Sequence, residues 1–134
     1  MNADELAYLH GVYQNQHMLV SNSISMGLEE LRGLNAAARA IGEIGSISDR
    51  GLLQDLGGGF YIRATAGKAD SVMVGIGGGY IIEKSVGDAK TAAEERIKSR
   101  SEVLDRLVKS RRELEAAMME IEERMQGEGD VRQP

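Results

Sequence analysis

The sequence has no cysteine and no tryptophan, a single phenylalanine, and a single proline, at position 134. Each scarcity removes a class of solutions. Without cysteine, neither disulfides nor thiolate metal sites can hold the chain together, and the redox compartment is left open. With aromatics at 4% of 134 residues, the side chains that bury most area in a compact core are nearly absent. Basic residues are also outnumbered, 16 Lys and Arg against 21 Asp and Glu, for a net charge of −5. Such a surface does not neutralise phosphates, which argues against nucleic acid and against an anionic membrane as partners.

Charge is missing altogether from residues 6–28. That length is enough to span a bilayer, but His10, Gln14, Asn15, Gln16, His17, Ser21, Asn22, Ser23 and Ser25 would make insertion costly. Residues 1–9 have neither the basic start nor the continuous apolar run of a signal peptide, so the expected location is cytoplasmic.

What the chain does have is Leu, Ile, Met, Ala, Glu and Arg, the composition of long helices whose apolar residues lie in narrow seams. The pattern divides into a helix over 3–44, a Gly-rich β segment over 51–84, a second helix over 86–126 and a polar tail over 127–134. In the second helix Ile97, Arg100, Leu104, Leu107, Arg111, Leu114, Met118, Ile121 and Met125 alternate by four and three, an a/d heptad. Arg100 and Arg111 interrupt it, which predicts register-fixing or pairing with acids on the other helix. In the first helix the same spacing selects Leu6, His10, Tyr13, His17, Val20, Ile24, Gly27, Leu31, Leu34, Ala38 and Ile41. Asn2 with Glu5, and Ser85 with Asp88, read as helix starts.

Between the helices, alternation of apolar residues predicts strands at Leu52–Leu56, Phe60–Ala66, Ser71–Ile76 and Tyr80–Lys84. Gly57-Gly58-Gly59 and Gly77-Gly78-Gly79 supply the positive φ that tight hairpins need, and Gly67-Lys68-Ala69-Asp70 links the two hairpins. A 40-residue helix rises about 60 Å, too long to fold over so small a sheet, so the helices are expected to pack along each other. The predicted fold is α+β: a long antiparallel coiled-coil hairpin with two small β-hairpins between the helices. A sheet of this size needs outside support, and its free edges are templates for pairing with other chains.

Sharper chemistry finds little footing. His10 and His17 lie seven residues apart, about 10 Å along the helix axis, whereas ligands to one ion sit about 2 Å from it. The glycine runs fit neither the P-loop spacing, which would need Gly at 62 and Ser or Thr at 69, nor the dinucleotide fingerprint, where Tyr80 stands in place of Gly. No catalytic grouping stands out. The expectation is a chain without cofactor, metal or enzymatic activity.

The run from Val72 to Ser85, Val-Met-Val-Gly-Ile-Gly-Gly-Gly-Tyr-Ile-Ile-Glu-Lys-Ser, leading into Asp88-Ala89, together with the order helix, two hairpins, helix, resembles the α subunits of archaeal prefoldin over roughly residues 5–126. The two hairpins matter, because β-type subunits have one. One departure is Gln54-Asp55-Leu56, which stands where α subunits often carry a Pro-bearing apolar segment. The resemblance implies a molecular chaperone that binds unfolded polypeptides without ATP, as one of two α subunits joined to four prefoldin β subunits in a hexamer, and that passes clients to a group II chaperonin. It implies client-binding tips at Leu6, Leu9, Tyr13, Met118, Met119, Ile121 and Met125. Oligomerisation would use strand residues Leu53, Leu56, Phe60, Ile62, Val72, Val74, Ile76, Tyr80 and Ile82. Methionine suits tips that meet many partners, since its flexible, polarizable side chain repacks against varied shapes. Met118 and Met119 cannot both enter one seam, so one is expected to face solvent. The alternative reading is a prefoldin-like coiled-coil scaffold whose arms bind one defined partner.

Overall fold

A computed structural model describes residues 1–68 and 70–132, with side chains described through Gly127. Ala69 of the inter-hairpin link, and Gln133 and Pro134 of the expected tail, lie outside the described residues. In chain order the elements are α1 (Ala3–Gly42), α2 (Ile44–Ile47), β1 (Gly51–Gly57), β2 (Phe60–Thr65), β3 (Ser71–Gly77), β4 (Tyr80–Ser85) and α3 (Val86–Arg132). They form two compact units, one of residues 1–30 with residues 100 onward, the other of residues 31–99.

Local chemistry sets the helix ends. Asn2 Oδ1 accepts from the Glu5 amide at 2.9 Å while Glu5 Oε2 accepts from the Asn2 amide at 3.1 Å. This reciprocal box satisfies two of the amides that a helix start leaves without partners. At the start of α3, Ser85 Oγ accepts from the Asp88 amide at 3.1 Å. Helix α1 stops at Gly42, two residues before the expected end. The Glu43 amide is shared between the Arg39 and Ala40 carbonyls, each at 3.1 Å, the three-centre pattern of a closing turn. The short α2 follows, and Asp49 at φ 60 turns the chain toward β1. Helix α3 runs to Arg132 rather than ending at 126. Gly127 costs about 1 kcal/mol against Ala within a helix, but it takes no left-handed φ and therefore supplies no C-cap.

In the first unit α1 and α3 run antiparallel, and the cross-helix contacts give the register. His10 meets Glu122, His17 meets Glu115, and Glu30 meets Arg100. A Cβ built on Gly27 would lie 3.3 Å from Leu104 Cδ1, so glycine lets the two helices approach there. The core is a line rather than a centre: among the described residues of this unit, Leu6, Ile24 and Ile121 are the buried apolar ones, all at seam positions.

The second unit carries two separate antiparallel pairs, β1 with β2 and β3 with β4. Their registers repeat with an offset of twenty residues. Leu53 pairs with Arg63 and Met73 with Glu83; Gly57 pairs with Phe60 and Gly77 with Tyr80. Each register slips just before the turn, between Asp55 and Gly57 and between Gly75 and Gly77, leaving Leu56 and Ile76 as equivalent bulge residues. Gly58 and Gly59 have φ of 62 and 86, and Gly78 and Gly79 of 61 and 80, the positive pair a primed two-residue turn requires. Behind the second hairpin, Ala89 and Ala93 of α3 are buried. With Leu34 and Ile41 of α1 and Val72 and Val74 of β3 they line an apolar cavity of about 370 Å³.

Candidate functional site

The sequence-predicted site residues fall in two places, the end of the helix pair and the hairpins. At the helix end the sequence-predicted residues fall into distinct environments. Leu6 and Ile121 are 2% and 6% exposed and close the seam between the helices. Leu9, Tyr13, Met118 and Met125 are half-buried. Met119 is 63% exposed, so of the two adjacent methionines one packs and one faces solvent. The seam gathers Leu6 and Ile121 into the contact between the helices, and Met119 stands outside it.

Polar seam residues have partners within the helix pair. His10 Nε2 and Glu122 Oε1 are 3.0 Å apart, as are His17 Nε2 and Glu115 Oε1. Arg100 Nε pairs with Glu30 Oε2 on α1 at 3.2 Å, the cross-helix role expected of it. Arg111 behaves differently: its Nε lies 3.8 Å from Glu115 of its own helix, one turn on. Glu115 therefore serves a histidine from α1 and an arginine from α3, an arrangement invisible until the register is known. The acid of each pair is more than half exposed, and such pairs contribute at most about 1 kcal/mol each; their value is alignment of the helices. Among the described residues no group of three or more metal-ligating side chains converges.

The hairpins present their apolar side chains outward. Leu53, Leu56, Phe60, Ile62, Ile76, Tyr80 and Ile82 are exposed, as are Tyr61, Met73 and Ile81. Val72 and Val74 turn instead toward the cavity behind β3. Asp55 Oδ1 accepts from the Gly57 amide at 2.7 Å, holding the first bulge. Gly75 occupies the equivalent place in the second hairpin, and there Arg96 Nη2 donates to its carbonyl at 2.7 Å, fastening α3 to β3. So many large apolar side chains on two-stranded ribbons cannot be covered by the ribbons themselves.

The prefoldin-subunit family model matches residues 13–130 of this sequence. The chain belongs to the prefoldin family. It is similar to prefoldin α subunits, with 26% identity to that of Methanospirillum hungatei JF-1 over 85% of this chain and 76% of the relative. Identity to the α subunit of Methanocorpusculum labreanum is 31%, over 85% of this chain and 78% of the relative. In structure, a filamentous PFD from Methanocaldococcus jannaschii solved by cryo-EM has a TM-score of 0.59 at 18% identity, covering 92% of this chain and 95% of that one. The shared prefoldin fold is thus a long helix, two small antiparallel strand pairs and a second long helix, and the chain is a chaperone subunit of the prefoldin type. Among the described residues no helix is long and apolar enough to cross a membrane.

Proposed function

We propose that this prefoldin-family chain is an α-type subunit of an ATP-independent holdase, which captures unfolded polypeptides at its helix ends and works only as part of a hetero-oligomer. The observation that carries the reading is the outward apolar surface of the paired hairpins, with Phe60 72% and Tyr80 73% exposed at equivalent positions. Burying aromatic and β-branched side chains of this kind yields about 1.5–3 kcal/mol each, which is the driving force for a shared β platform. The assembly expected from the α-type likeness has two α and four β subunits, with Leu53, Leu56, Phe60, Ile62, Ile76, Tyr80 and Ile82 as its subunit-contact strand residues, while Val72 and Val74 line the chain's own cavity. Clients meet the helix ends, Met119 first, and Leu9, Tyr13, Met118 and Met125 as the ends loosen. Leu6 and Ile121 hold the ends together, and held clients pass to a group II chaperonin.

The test supplies the chain with a β-type partner subunit and follows light scattering of several unrelated denatured proteins without nucleotide. Suppression of aggregation across the set is the expected result. Aggregation that proceeds as in buffer would refute the holdase, and suppression confined to one protein would favour a scaffold with a single defined partner.

A further inference from the structure

The two hairpins share one register pattern, twenty residues apart, yet they are attached to the molecule differently. Strand β4 ends at Ser85 and α3 begins at Val86, so the second hairpin runs into the helix with no linker. Ser85 Oγ also caps that helix through the Asp88 amide, and Ser71 Oγ donates to Glu83 Oε1 at 2.7 Å across the strand pair, closing its base. The first hairpin hangs between α2 and β3. The bonds at its base, from the Ala66 amide to the Arg50 carbonyl at 3.1 Å and from the Asp49 amide to the Gly67 carbonyl at 3.4 Å, join its own two ends to each other.

Side chains at matching positions follow the same division. Val72 and Val74 are half-buried and line the apolar cavity with Ala89 and Ala93 of α3. Twenty residues earlier Leu52 is half-buried, but the place of Val74 is taken by Gln54, which is exposed and donates to the Asp55 carbonyl at 3.1 Å. Pressed into an apolar wall, that amide would keep one hydrogen bond and lose its water, so the first hairpin is not built to seat as the second does. Asp55 and Gly75 divide in the same way. Asp55 turns its carboxylate back on its own turn, accepting from the Gly57 amide at 2.7 Å, whereas the Gly75 carbonyl accepts from Arg96 Nη2 of α3 at 2.7 Å. The second hairpin is held by continuity with the helix, by apolar seating and by a charge-assisted bond; the first is held by the bonds at its base.

A two-stranded hairpin by itself is only marginally stable in water. From the difference in anchoring we infer that the hairpins are unequal docking elements: the second is presented ready-made, with Arg96 as the latch that holds it on α3, and the first becomes ordered only when a neighbouring subunit's strand pairs with it. A rigid element loses less freedom on binding than a mobile one, so the second hairpin recruits its neighbour first and the first hairpin docks afterwards. The exposed Leu53, Leu56, Phe60 and Ile62 of the first hairpin supply the apolar burial that offsets its late ordering. The inference rests on the shared β platform proposed above and adds an order of events to it.

Hydrogen exchange of the full chain, read by mass spectrometry on peptides covering residues 51–65 and 71–85, is measured at a dilution where light scattering gives the mass of one chain, and again after assembly with the β-type partner subunit. In the free chain residues 51–65 are expected to exchange at least about tenfold faster than 71–85, through local opening, and the two should converge on assembly. Arg96→Ala and, separately, Val74→Gln, which gives the second hairpin the residue of the first, should each speed exchange at 71–85 in the free chain by about fivefold to tenfold. Both variants should leave residues 51–65 and the α3 segment 104–121 within about twofold of the parent. Equal protection of both hairpins in the free chain, rising further on assembly, would overturn the inequality and leave the shared platform standing. Parent-like exchange at 71–85 in both variants would overturn the latch and seat as its cause. Exchange unchanged in both hairpins on mixing with the partner would overturn the shared platform, and this inference with it.

Discussion

Leu6 and Met119 belong to the same end of the helix pair yet are 2% and 63% exposed, and replacing each with alanine separates seam from surface. Leu6→Ala removes the equivalent of three methylene groups, and at about 0.8 kcal/mol each this comes to about 2.4 kcal/mol of lost burial. The cavity penalty adds little, because two helices at a free end can close on the smaller side chain. The Ala gain in helix propensity is only a few tenths of a kcal/mol. A net cost of about 2 kcal/mol is expected, felt first as local opening of the helix ends. Converted at 1.4 kcal/mol per tenfold, it speeds amide exchange there by about 30-fold. Hydrogen exchange read by mass spectrometry on peptides covering residues 7–16 and 115–125 measures this directly, with the segment around Gly27 and Leu104 as the unaffected reference. Met119→Ala should leave exchange within about twofold of the parent, as surface substitutions do. Equal acceleration by both substitutions, or by neither, would refute the seam assignment of Leu6.

Gly27→Ala is expected to raise thermal stability slightly: alanine gains about 0.8–1.0 kcal/mol in a helix, and the atom it crowds, Leu104 Cδ1 at 3.3 Å, is the end of a flexible side chain. Gly27→Val, branched at Cβ, should lower the melting midpoint followed by circular dichroism; a fall with alanine as well would show that the helices cannot move apart there. Gly78→Ala, at φ 61, should cost about 1–2 kcal/mol and weaken assembly measured by size-exclusion light scattering. Gly75→Ala, with nothing within 4 Å of its Cβ and no positive φ, should assemble as the parent does, and an equal loss in both would contradict the turn assignment.

The sequence revealed most where one residue type has one physical use. The four-three spacing found the buried Leu6 and Ile24 of α1, with the half-buried Tyr13 and Val20 between them, because seam burial depends only on helical period. The glycine triplets found both turns because positive φ has few other tenants. What escaped depends on register between distant segments. Nothing in the spacing of α3 tells that Arg111 leans on Glu115 of its own helix while Arg100 reaches Glu30. Three consecutive glycines fix a turn but not which residue is the extra one, so the bulges at Leu56 and Ile76 emerged only with the strand pairing. Sequence position places Leu6 and Ile121 at the end of the helix pair beside Met119 but does not tell which of the three are buried, and Leu6 and Ile121 are.

The twenty-residue repeat of the hairpins has a consequence for counting. A subunit with one hairpin offers a neighbour one such docking element and has a valence of one in any shared sheet. This chain carries the same bulged, triple-glycine element twice, at Gly57-Gly58-Gly59 and Gly77-Gly78-Gly79, which in the proposed assembly gives it a valence of two. In a mixture, bivalent members set how many univalent ones a closed assembly can take up. Silencing one hairpin, by an alanine at Gly58 or at Gly78, is therefore expected to change the stoichiometry of the proposed assembly as well as its strength.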